Sequence, residues 1–144
     1  MNEAEAKAAF AQALASYRPE FGHFFLARLF GLEVGYEGET CVVTAPVQEW
    51  MLNPQGSLHG GVLALILDIS MGHLLHHVAG PGVTLETKSQ FVKAPRSGEV
   101  RAVGRFLRRG RSISFLESRM TDTAGDLVAF ASSTWRLVNK ERSS

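Results

Sequence analysis

Apolar positions recur at two different periods along the chain, and each change of period marks a new element. Residues Glu3 to Tyr17 are rich in alanine and carry Phe10, Leu14 and Tyr17 at helical spacing, which predicts a helix with one sticky side. Pro19 ends it. Phe21, Phe24, Phe25, Leu26, Leu29 and Phe30 then form an apolar cluster, read first as cover for a sheet and second as the wall of a ligand pocket. From Leu32 the period falls to two: Leu32, Val34 and Tyr36 alternate with polar or small residues, Gly38 gives a turn, and Thr40 to Val47 repeats the strand pattern. Glu49 to Ser57 reads as a loop. Four further strand candidates, Val83–Val92, Val100–Leu107, Ser112–Met120 and Leu127–Val138, are separated by turn-forming stretches at Ala94–Gly98, Arg109-Gly110 and Asp122–Asp126. Three successive hairpins are implied. The expected architecture is α+β, an antiparallel sheet of about six strands round one long helix inserted after the second strand.

That helix belongs to the stretch Asn53 to Gly72, where a polar, glycine-rich turn leads into an almost wholly apolar run. It is expected to continue to about Val78 and to stop at Ala79-Gly80-Pro81-Gly82. Gly60 and Gly61 stand at its start, where backbone N–H groups lack intrahelical acceptors and face the positive end of the helix dipole. Such amides suit a carbonyl that becomes an oxyanion. Inside the apolar run sits one carboxylate, Asp68, with Ala64, Leu65, Met71 and Gly72 one turn away. None of these can pair with it, so Asp68 is expected to line a cavity or meet a partner from elsewhere. Eight residues of helix separate it from Gly60, about 12 Å at the helical rise. One reacting carbonyl cannot touch both, so a shared site requires two copies of the helix, antiparallel across a two-fold axis.

At 144 residues and 45% hydrophobic content, the chain is long enough for one domain with a substantial core. The single cysteine, Cys41, allows no internal disulfide and is read as core; the acidic N-terminus lacks a signal-peptide pattern, and a cytoplasmic location is expected. The longest apolar run, Val62 to Leu67, is too short to span a bilayer, so no membrane partner is expected. The net charge of +1 hides an asymmetry: 3 Lys+Arg against 9 Asp+Glu up to Thr87, then 12 against 5 from Lys88, which is −6 and +7. The basic half is where an anionic ligand would be held. No nucleic-acid motif accompanies it. His73 and His77 share a helix face without a third ligand at a recognised spacing, so no metal site is assigned. A nucleophile elbow, a phosphate-binding loop and a dinucleotide fingerprint are all missing.

The order of elements, with Asn53-Pro54-Gln55-Gly56 before His59-Gly60-Gly61 and an aspartate nine residues after the histidine, resembles the hotdog-fold acyl-CoA thioesterases. The subgroup it is most similar to is the phenylacetic-acid-degradation type. The resemblance runs from about Gly31 to Val138, which implies an N-terminal helical extension, 1–30, and a hotdog domain, 31–144. It implies hydrolysis of an acyl-CoA, aryl or medium-chain, without a cofactor beyond the coenzyme A of the substrate. Matched position by position, it implies that the Gly60 N–H polarises the thioester carbonyl and His59 fixes the turn. Asp68 would act from the opposite subunit as general base or nucleophile, Asn53 would orient substrate or water, and Thr84 would stand beside the attacking water. For coenzyme A it implies the turn Arg109, Gly110, Arg111 and Ser112, with Phe91, Lys93 and Arg96 in support. A homodimer is implied, possibly a tetramer, with Phe24, Trp50, Leu65 and Met71 suggested for the acyl pocket. The alternatives are a non-catalytic acyl-CoA-binding module and, further off, a hotdog hydratase or dehydratase.

Overall fold

The computed structural model describes residues 1–138; residues 139–144, the end of the second expected domain, lie outside the described residues. Helix α1 (Glu3–Ser16) starts where the Asn2 side chain accepts from the N–H groups of Ala4 and Glu5, with Glu3 and Glu5 adding favourable charge to the first turn. Its sticky side meets α2 (Phe25–Leu29) rather than the sheet: the rings of Phe10 and Tyr17 both pack edge-on against Phe25. Ala27 belongs to the main hydrophobic core, and the half-buried Phe24 and Phe30 pack against it.

Strands β1 (Glu33–Glu37) and β2 (Thr40–Pro46) form the first hairpin. The expected loop after them contains a short 3₁₀ turn, Glu49–Met51, and then comes α3 (Gly60–Ala79). By length and composition this helix could cross a membrane, with a mean hydropathy of 1.5, but in the fold it lies against β2 and the four strands after it. Those are β3 (Gly82–Phe91), β4 (Glu99–Arg108), β5 (Ile113–Asp122) and β6 (Leu127–Leu137). The six strands make one antiparallel sheet in the order β1-β2-β4-β5-β6-β3. This is the hotdog arrangement, a sheet curled round one long helix.

One of the three expected hairpins is absent. β3 pairs with β6, not with β4. The helix delivers the chain to the far edge of the sheet, and residues 92–98 cross back over three strand spacings, about 14 Å. At about 3.3 Å per residue that segment is long enough to make the crossing, so a turn composition alone could not tell a hairpin from a crossover. The crossing segment also fixes the start of α3. The Leu58 N–H donates to the Pro95 carbonyl at 2.7 Å, and Arg96 Nη1 donates to the carbonyls of Gln55 and Gly56 at 3.0 and 3.2 Å.

Inward positions alternate along β4, β5 and β6, with Val100, Ala102, Leu116, Met120, Ala129, Ala131 and Trp135 buried round Ile66, Leu67, Met71 and Leu74 of α3. The helix backbone comes closest at Gly104, where a Cβ would stand 2.4 Å from the Ser70 carbonyl oxygen. Ser70 Oγ donates to the Leu67 carbonyl at 2.7 Å and lies 2.6 Å from Ser118 Oγ, so small polar residues fill this contact without unsatisfied groups. Gly104→Ala is expected to destabilise the fold by about 1–3 kcal/mol, because backbone cannot move aside for the methyl as a side chain would. Urea unfolding would show it as a lower midpoint at unchanged slope.

Candidate active site

The helix start is built by its own cap. His59, at the N-cap with extended backbone (ψ 134°), accepts the Gly61 N–H on Nδ1 at 2.8 Å, and its carbonyl accepts from Val62 and Leu63. Of the two glycine amides expected to face an anion, Gly61's is therefore occupied. The Gly60 N–H has no acceptor among the described residues. Phe91, at the end of β3, lies over this turn: a Cβ on Gly60 would be 3.9 Å from its Cζ.

Asn53 is drawn into the preceding loop. Its Oδ1 accepts from the N–H groups of Gln55 and Ser57 at 3.0 and 3.2 Å, and its Nδ2 donates to the Ser57 hydroxyl at 3.1 Å. The asparagine thus closes an Asx-type turn that holds the loop leading to His59.

Two turns further along α3, Asp68 finds the partner that its own helix does not supply. Thr84 of β3 donates its hydroxyl to Asp68 Oδ1 at 3.0 Å. Burial pushes the Asp68 carboxyl above the usual aspartate range, and the threonine bond opposes this in part. Both residues open on a groove of about 660 Å³ whose other walls are mostly apolar: Leu65 and Ile69 of α3, Trp135 of β6, and Phe21 and Phe24 from the segment between α1 and α2, with Glu20 and His73 as the polar exceptions. Gly72 makes room for it, since a Cβ there would stand 2.6 Å from Trp135 Cη2. The indole is itself fixed, donating from Nε1 to the Ser133 hydroxyl at 2.6 Å.

Of the suggested acyl-pocket residues, Phe24 and Leu65 line the groove, while Met71 is buried in the core and Trp50 packs on Phe30. Phe21, from the phenylalanine cluster whose second reading is a pocket wall, lines it as well. Trp135 is a lining residue that local sequence patterns do not single out, and they mark His73 only for the helix face that it shares with His77. His73 and Gly72 lie one turn beyond Asp68 on the same helix face, which is the available signal.

The residues expected to meet coenzyme A fall in two places. Lys93 sits between the carboxylates of Asp122 and Asp126, and Arg96 is held by the carbonyls of Gln55 and Gly56; both lie near the start of α3. The turn Arg109–Ser112 lies at the other end, where Arg109 Nη2 donates to the Val78 carbonyl at 3.4 Å. Gly110 is required there, because a Cβ would fall 1.9 Å from the Ile113 carbonyl oxygen, and its N–H donates to the Ser114 hydroxyl at 3.1 Å. Within one chain, then, the structure joins Asp68 to Thr84 but leaves Gly60 and the arginine turn at opposite ends of a helix about 30 Å long. His73, His76 and His77 are each engaged with the N-terminal half of the chain: His73 with the Gly22 N–H, His76 with Phe21 and His77 with Tyr36.

The thioesterase superfamily model matches residues 55–129, from the loop before α3 into β6. A putative esterase of Saccharolobus solfataricus is 30% identical over 117 residues, covering 80% of this chain and 81% of the relative. Among solved structures, a Bacillus halodurans protein determined with CoA superposes with a TM-score of 0.86 at 22% identity, covering 96% of this chain and 94% of that one. The PaaI protein of the E. coli phenylacetic acid degradation operon does so with a TM-score of 0.79 at 17% identity, covering 91% and 96%. At these identities the two structures speak for the fold, whereas the family model and the esterase relative speak for descent: the chain belongs to the thioesterase superfamily.

Proposed function

We propose that this protein hydrolyses an acyl-CoA thioester to the free acid and coenzyme A, with Asp68 as general base or nucleophile and the Gly60 N–H as oxyanion donor. The observation that carries this reading is a carboxylate, desolvated on a mostly apolar groove and held by Thr84, on the same helix as an amide without an acceptor among the described residues. In the general-base form Asp68 takes a proton from water, the water oxygen bonds to the thioester carbon, and negative charge grows on the carbonyl oxygen. A preorganised N–H stabilises that charge; the C–S bond then breaks and the thiolate takes up a proton. The acyl group lies in the groove between Phe24 and Trp135. Coenzyme A is substrate here, and no other cofactor enters the scheme. That a protein of the same fold was solved with CoA supports this, as do the exposed arginines of the Arg109–Ser112 turn, whose charge suits a phosphate-bearing arm.

The spacing along α3 makes the site a dimer property. β3 favours a second copy: it is a ten-residue edge strand, long for an unprotected edge, with Val83, Leu85 and Phe91 exposed. Pairing at this edge sets two α3 helices antiparallel, so that Asp68 of one chain faces Gly60 of the other.

Thiol release from acetyl-, phenylacetyl- and octanoyl-CoA tests the activity. Mixing tests the sharing of sites: an Asp68→Asn chain and a Gly60→Pro chain, each inactive alone, are expected to regain about a quarter of the native rate after refolding together. Half the dimers would be mixed, and each would carry one intact site. No recovery would place both groups in one chain's site and sink the shared arrangement.

A further inference from the structure

The groove continues past Asp68. Leu65, Asp68, Ile69, Gly72 and His73 follow one another along a single face of α3, and beyond His73 that face is covered by the segment Pro19–Phe24, which joins α1 to α2. Specific contacts hold this segment in place. Gly22, in the left-handed region at φ +82°, donates its N–H to His73 Nε2 at 2.9 Å. The Phe21 ring lies flat on His76, with centroids 3.7 Å apart and planes 3° apart, and edge-on to His73 at 4.8 Å. Phe24 leans on the same imidazole at 5.9 Å. An Nε2 that accepts a hydrogen bond carries no proton, so His73 is neutral here; its burial and the neighbouring His76 both favour that state.

We propose that Pro19–Phe24 is the acyl-specificity wall of the site, with Phe21 and Phe24 touching the distal end of an aromatic or medium-chain acyl group and His73 as the positioning residue that sets where they stand. This rests on the reading of Asp68 as the reacting end. Asp68 and His73 are five residues apart, about 7.5 Å along the helix. An acetyl group ends short of the wall, whereas a phenylacetyl or octanoyl group reaches it. Contact with two aromatic rings then favours the longer acyl groups through tighter binding.

Steady-state kinetics with acetyl-, phenylacetyl- and octanoyl-CoA on the native protein and on Phe21→Ala, His73→Phe and His73→Gln decide the matter. In Phe21→Ala the ratio of kcat/KM for phenylacetyl-CoA or octanoyl-CoA over acetyl-CoA is expected to fall about tenfold, mainly through KM. His73→Phe keeps a ring but loses the acceptor for Gly22, and the ratio falls similarly. His73→Gln keeps an acceptor and restores most of it. Phe21 is 44% exposed, so its truncation tests the wall whatever the His73 variants do to folding. An unchanged ratio in Phe21→Ala overturns the proposal, as does a ratio that falls equally in His73→Gln and His73→Phe. If the native protein releases no thiol from any of the three, the thioesterase reading itself fails, an outcome distinct from a working enzyme whose selectivity ignores the wall.

Discussion

Gly60→Pro is expected to lower kcat by a factor of about 10²–10³ while leaving the fold intact. The factor is what loss of one oxyanion donor costs, about 2.7–4 kcal/mol in the transition state. Proline is suited to this position for reasons visible in the backbone. Gly60 is the first residue of α3, where the fixed φ of proline matches the helix and the missing N–H breaks no protein hydrogen bond among the described residues. His59 before it is extended, at φ −60° and ψ 134°, the conformation that a following proline requires. Gly60→Ala is the control: it keeps the N–H and brings a methyl only to ordinary contact, 3.9 Å from Phe91 Cζ, so it should lose far less activity. Circular dichroism would verify that both variants keep their helices. Equal losses in the two variants would mean that bulk at the turn, and not the amide, is what matters.

Asp68→Asn is expected to reduce thiol release at least about a hundredfold, the usual contribution of a positioned base. Asparagine keeps the acceptor for the Thr84 hydroxyl, so the contact between α3 and β3 survives. The substitution also predicts a gain in stability. Burial raises the folded-state pKa of Asp68 above its ordinary 3.8, so the folded protein holds the carboxyl proton to higher pH than the unfolded chain does. The favourable contribution of this group is present at low pH and is lost as pH rises through the folded value. At neutral pH the native protein therefore carries a desolvated carboxylate that the asparagine variant lacks, and the variant should melt at a higher temperature. The gap should close as both are taken down towards the ordinary aspartate range. The same shift places the acid limb of native kcat/KM above 3.8. Turnover at the native rate by Asp68→Asn would show that the carboxylate takes no part in the chemistry.

Much of this site is legible in the sequence because it is local. A glycine-rich turn that leads into an apolar run marks the helix start, and one carboxylate in that run is conspicuous through the cost of burying it unpaired. Lys93 and Arg96 show the opposite case. Their positive charge is plain in the sequence, but Asp122 and Asp126 lie about thirty residues from Lys93 and the carbonyls of Gln55 and Gly56 about forty from Arg96. A cation's partner at such separations cannot be read from its neighbours. Met71 and Trp50 are reasonable acyl-pocket residues by type, yet which side of an all-apolar helix faces ligand depends on what packs on the other sides.

The sequence by itself determined the elements and the chemistry of single positions: the approximate bounds of α3, the strand segments, the glycine pair at the helix start and the anomaly of Asp68. Only the tertiary structure decided the neighbours. It put β3 at the sheet edge beside β6, brought Thr84 onto Asp68, and laid Phe21 and Phe24 against His73. The physical reason is that hydrophobic period fixes which face of a strand or helix is buried. Which other segment covers that face is settled by the packing of the whole chain, through contacts between residues far apart in sequence.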